Sequence, residues 1–125
     1  MSPAPRRPGA RQALGARGEA LAADWYVARG FTVLDRNWRS RTGELDLVVG
    51  GPGVVVFCEV KTRTSDAYGV GAEAVTATKQ LRIRRLASEW LAAHPGTRGE
   101  LRFDVVSILV PRNAPPTVDV YERAF

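Results

Sequence analysis

Two strand-like runs, Gly43 to Val49 and Val54 to Thr62, are joined by Gly50-Gly51-Pro52-Gly53, and this hairpin limits the possible folds more than any other feature. The second run is almost continuously apolar from Val54 to Val60. A strand of that kind is covered on both faces, so charged residues at its end must be paired or used.

The flanking segments supply the helices. From Gln12 to Arg29, Leu14, Gly18, Leu21, Ala22, Trp25 and Ala28 recur at helical spacing, and Gly30 can end that helix in the left-handed conformation. Glu19 lies just beside this apolar stripe and can border whatever the helix packs on. Phe31 to Trp38 reads as a first strand. After a glycine-rich connector, Ser65 to Gly71, a second helix is predicted from about Ala72 to Ala93, with Ala72, Val75, Ile83, Leu86, Ala87, Trp90 and Leu91 on its apolar face. Lys79 falls inside that face. Pro95 and Gly96 stop the helix, Leu101 to Val110 continues as a fourth strand, and Val118 to Tyr121 adds a short edge strand. The expected order is αβββαβ(β), an α/β fold.

With 125 residues, the chain suits one domain over residues 11–125, preceded by a mobile basic arm over residues 1–10. No apolar run approaches a membrane span and no apolar segment follows the basic N-terminus, so a cytoplasmic protein without a membrane partner is expected. The single Cys58 has no partner cysteine for a disulfide or a zinc site. A net charge of +5 favours anionic partners such as nucleic acid. Of the 18 basic residues only Lys61 and Lys79 are lysines. Arginine holds its proton far more firmly than lysine, so the two lysines invite a chemical explanation.

The chemistry concentrates on the hairpin. Residues two apart on a strand share a face, which groups Glu44 with Asp46 and Glu59 with Lys61. Whether Val49 pairs with Val54 or with Val56, strict alternation carries Asp46 to the face of Glu59. Neighbouring carboxylates repel unless something neutralises them, and a hard divalent cation does so. Mg²⁺, or Mn²⁺, takes carboxylate oxygens, waters and substrate phosphate and can activate a water, while Lys61 orients or helps deprotonate that water.

Gly18-Glu19, Asn37-Trp38-Arg39, Gly43-Glu44-Leu45-Asp46-Leu47, Val56 to Arg63, Gly69, Ala74-Val75, Lys79 and Arg102-Phe103-Asp104 together resemble the small bacterial YraN-like family. That family is similar to Holliday junction resolvases of the restriction-endonuclease-like PD-(D/E)xK superfamily. The resemblance implies a mixed sheet flanked by helices, with Asp46, Glu59 and Lys61 as a nuclease triad and Glu19 as a further acidic metal ligand. Leu45 stands where the superfamily motif has proline, and Cys58 where valine is expected; neither position supplies a reacting group. The resemblance also implies two copies pairing their sites as a homodimer.

Glu44 and Lys79 form a second tier of candidates. Arg39 and Arg63 adjoin the ends of the presumed catalytic strands, and Arg82 and Arg85, with Arg84, leave the core stripe of the second helix and can track phosphates. Trp38 reads as a core residue, His94 as a helix-terminal surface residue and Asp104 as a structural partner of Arg102. The resulting expectation is a Mg²⁺-dependent nuclease acting on DNA, at branched or distorted sites. The alternative is a noncatalytic nucleic-acid-binding or scaffold protein that retains the fold.

Overall fold

The computed structural model describes residues 9–65 and 75–125. Residues 1–8 of the expected basic arm, the connector from residue 66 and the predicted helical residues 72–74 lie outside the described residues. The elements are α1 (Ala10–Val27), β1 (Thr32–Ser40), β2 (Gly43–Gly51), β3 (Val54–Arg63), α2 (Ala77–Ala93), β4 (Glu100–Leu109) and β5 (Thr117–Tyr121). They form one open five-stranded sheet in the order β1-β2-β3-β4-β5. β3 and β4 run parallel, across the connection that carries α2, and the other neighbours are antiparallel. The order αβββαββ matches the sequence expectation. Among the described residues no helix is long and apolar enough to cross a membrane.

β3 occupies the centre, which explains its unbroken apolar run. Val55 and Phe57 enter a core with Ile83, Leu86, Ala87 and Trp90 of α2. Val56 and Cys58 face the other way, into a core with Ala22, Ala23 and Tyr26 of α1. One helix thus covers each face of the sheet, and the alternation of β3 divides its side chains between them. Trp38 packs against the α2-side core, in line with its reading as a core residue.

The two helices begin and end differently. α2 starts at Ala77 rather than near Ala72, because Thr76 is extended and its hydroxyl accepts the Lys79 backbone N–H at 3.2 Å, a side-chain cap that fixes the first turn. Val75 keeps its predicted place in the core without being helical. At the start of α1, Gly9 offers no side-chain cap and the first turn holds no acidic residue. Its other end is firm: Phe31 N–H donates to Tyr26 O at 3.1 Å and Gly30 N–H to Val27 O at 3.1 Å. Gly30, at φ 89°, makes this double closure possible, and the Phe31 ring meets the Tyr26 ring edge-on at 5.4 Å.

The buried side of α1 is Gly18, Ala22, Ala23 and Tyr26, while Leu14, Leu21 and Trp25 are only partly buried and Ala28 is exposed. Small residues are needed there because the helix lies almost on the strand. A Cβ at Gly18 would fall 1.8 Å from Thr62 Oγ1.

Candidate functional site

The site forms where the β2–β3 ladder stops. Val49 pairs with Val56 and Leu47 with Cys58, the last pair of the ladder. One step further, Val60 N–H donates at 2.9 Å to the Asp46 carboxylate. The alternation of β2 breaks at this point. Leu45 enters the α2-side core whereas Leu47 enters the α1-side core, so Asp46 sits at a change of face. The strict alternation expected from the sequence fails at Asp46, but Asp46 and Glu59 remain neighbours: Asp46 opens with Glu19 and Glu44 into a cleft of about 520 Å³ that α1 borders, while Glu59, bonded by Lys79 of α2, stays close enough for its charge to act on Asp46.

One carboxylate oxygen from each of Glu19, Glu44 and Asp46 lies within 4.8 Å of the others. Glu19 comes from α1, placed beside the close contact of Gly18 with Thr62, and the other two come from β2. Asn37 on β1 ties the group together: with its amide nitrogen turned toward the carboxylates, it donates to Glu44 at 2.9 Å and to Glu19 at 2.6 Å. Its φ of 51° is left-handed, a conformation asparagine tolerates better than most residues. Arg39 Nε bonds the other Glu44 oxygen at 2.8 Å from an exposed position.

Glu59, nearly buried, receives two lysines on one oxygen, Lys79 Nζ at 2.6 Å and Lys61 Nζ at 3.9 Å. Lys79 therefore does not merely bury its stem in the apolar face of α2; its ammonium reaches the end of β3. Sequence reasoning ranked Glu44 and Lys79 behind Asp46, Glu59 and Lys61. The fold groups the first of these with the acids and the second with the Glu59 pair. Asn37 was visible only as part of a motif, because its positive φ and its reach across two strands have no local sequence signal. Of the arginines, Arg39 stands at the acids, Arg63 ends β3, and Arg82 and Arg85 are exposed on α2.

The electrostatics follow from these neighbours. Burial, then the charge of Glu59, pushes the Asp46 carboxyl up to about 7. Burial and the Glu44 charge raise Glu19 as well. Burial and the adjacent Lys79 lower the Lys61 ammonium. For Lys79 burial pulls downward, but its bonds to Glu59 and Lys61 outweigh it and its pKa is raised. The two neighbouring lysines are thus shifted in opposite directions, Lys79 upward and Lys61 downward.

Elsewhere under α1 a different carboxylate is fully satisfied. Asp104 accepts Arg102 Nε at 3.0 Å, Arg102 Nη2 at 2.9 Å, the Tyr26 hydroxyl at 2.7 Å and Arg123 N–H at 3.2 Å. This agrees with the structural role expected for Asp104. His94 caps the end of α2, stacked on Trp90 with ring centroids 4.0 Å apart.

A mixed sheet covered by one helix on each face, with clustered acids and lysines where the central hairpin opens, defines a restriction-endonuclease-like, nuclease-type fold. The description of the uncharacterised protein family UPF0102 matches residues 18–108. The chain belongs to that family, the YraN-like proteins. It is 51% identical over 116 residues to a UPF0102 protein of Frankia casuarinae, covering 93% of this chain and 98% of the relative. A UPF0102 protein of Clavibacter michiganensis is 50% identical over 113 residues, 90% of this chain and 96% of that one. One from Nocardia farcinica is 48% identical over 119 residues, 95% and 94% of the two chains.

Proposed function

We propose that this protein is a divalent-metal-dependent nuclease that hydrolyses DNA phosphodiesters, at branched or distorted sites. The observation that carries the reading is the set Glu19, Glu44 and Asp46, three carboxylates drawn within 4.8 Å with no cationic side chain bonded to Glu19 or Asp46 among the described residues. Their donors are all hard oxygens, the kind Mg²⁺ or Mn²⁺ takes, and burial together with the neighbouring carboxylates raises the pKa of Asp46 and of Glu19. Glu19, Glu44 and Asp46 would hold the ion, with Glu59 reaching it once released from Lys79. When bound, it supplies Lewis-acid neutralisation of the scissile phosphate.

The chain's own groups do the rest. Lys61, with a lowered pKa, orients the attacking water and can hold or pass its proton, while Lys79, kept charged by Glu59, steadies negative charge growing on the phosphoryl oxygens. The α1-bordered cleft leaves the acids open to a substrate from the side of Leu14 and Thr62. Two copies pairing their sites as a homodimer would cut two strands in one encounter.

The Glu59–Lys79 contact favours a second reading, a noncatalytic nucleic-acid-binding scaffold whose acid is already neutralised from within. A cleavage screen over duplex, single-stranded, flap and four-way DNA, with and without Mn²⁺, separates the two, with Glu59→Ala as the control. Metal-dependent cutting that Glu59→Ala abolishes is expected. DNA binding with neither cutting nor calorimetric uptake of Mg²⁺ or Mn²⁺ would establish the scaffold.

A further inference from the structure

Among the described residues Leu81 is the most exposed large hydrophobic, at 70%. Packing does not account for it. The core of α2 is Ile83, Leu86, Ala87 and Trp90, and at 100° per residue Leu81 points away from all of them, on an outer ridge with Thr78 and Arg85. Across a shallow groove of about 440 Å³ stand Arg41 and Thr42, from the turn between β1 and β2, with Arg82 between the two walls. Glu89 accepts the Thr42 hydroxyl at 2.5 Å and lies 3.6 Å from Arg85, so among the described residues the groove's unneutralised positive charge is that of Arg41 and Arg82.

The groove adjoins the β2 side of the site: a Cβ at Gly43, the residue before Glu44, would lie 3.4 Å from the Arg82 side chain, whereas Lys79, which holds Glu59, projects from the opposite side of α2. A polyanion lying along this groove meets Leu81 with arginines on its flank. A second copy of this chain would bring a like-charged arginine face against it, which the charge disfavours.

We propose that this groove is the docking surface for the DNA strand and that Leu81 is a wedge that enters an unstacked base step, so that the site selects DNA already distorted. The inference rests on the nuclease reading above and deepens it. The arginines meet phosphates, which every sequence and structure of DNA presents, whereas an apolar wedge is favourable only where bases have lost their stacking partners. Affinity and selectivity are thereby assigned to different side chains of one helix.

Anisotropy titrations with Ca²⁺ as the divalent ion test this, using a paired duplex and the same duplex carrying a single abasic site. The wild type is expected to bind the abasic duplex about tenfold more tightly. Leu81→Ala, which suits an exposed helical position, should erase that preference while leaving affinity for the paired duplex and the salt dependence unchanged. Arg41→Ala with Arg82→Ala should weaken both duplexes alike and flatten the salt dependence by about two contacts. A preference that survives Leu81→Ala, or that the wild type never has, overturns the wedge and leaves the nucleic-acid reading standing. Leu81→Ala that changes the sedimenting species and not the preference makes Leu81 a self-contact and overturns it too. Failure of the wild type to bind either duplex removes the nuclease reading and this inference together.

Discussion

Asp46 and Asp104 both lie beneath α1, one near its N-terminal half and the other near its C-terminal end. Asp104 is completely buried and accepts four hydrogen bonds, two of them from a single guanidinium. Asp46 accepts one, from Val60 N–H, and otherwise faces Glu19, Glu44 and Glu59. The same helix therefore seals one carboxylate and leaves the other in want of positive charge. A satisfied buried charge contributes to fixing the fold, whereas an unsatisfied one is a cost that function must justify.

The largest expected effect comes from breaking the satisfied end. Asp104→Ala strands the Arg102 guanidinium in the interior and should destabilise the protein by about 3–5 kcal/mol, read as a lower urea midpoint, without altering calorimetric Mg²⁺ binding. Lys61→Arg inverts the pattern. Stability and metal binding should hold while cleavage of a responsive DNA substrate falls about 10²-fold or more, because a guanidinium is wider and does not share its proton. Unchanged cleavage would remove the catalytic role of Lys61.

Next comes pH. Burial and the nearby carboxylates push the Asp46 carboxyl up to about 7 from its ordinary 3.8, so the folded chain binds this proton more tightly than the unfolded chain. Its contribution is full below the unfolded value and is lost as pH rises through about 7. In chelator, thermal stability should climb as pH drops from 8 toward 5, and Asp46→Asn should flatten that slope and stabilise the metal-free protein at pH 8 by on the order of 2 kcal/mol. The same substitution should weaken calorimetric uptake of Mg²⁺ or Mn²⁺. The smallest change sharpens the contrast: Asn37→Gly tolerates the left-handed backbone but withdraws the shared donor from Glu19 and Glu44, and should lower divalent-ion affinity about tenfold with little loss of stability.

The fold was legible because its signals are local. The Gly50-to-Gly53 turn, the continuous apolar run of β3 and the stop at Gly30 each act within a few residues, and each stands as expected. The partners that decide the fate of each carboxylate act over long range. Tyr26 lies 78 residues from Asp104, and its neighbour Trp25 occupied the predicted stripe instead. At Asp46 the strict period of two misled, since the side chain caps the end of a ladder and the strand changes face there. Glu44 could be seen beside Asp46, yet nothing in the sequence joined it to Glu19 before α1 was laid against β3.

That contact has a dynamic consequence. At Gly18 the helix backbone rests directly on the Thr62 side chain of β3, and the next residue, Glu19, carries the helix's carboxylate in the acidic cluster. The start of α1 lacks a side-chain cap, so its first turns have little of their own to resist fraying. An ion shared between Glu19 and Asp46 would cross-link helix to sheet, making amide exchange in those turns slow when the ion is bound and fast when it leaves. Occupancy of the site and order in the opening helix are then a single equilibrium.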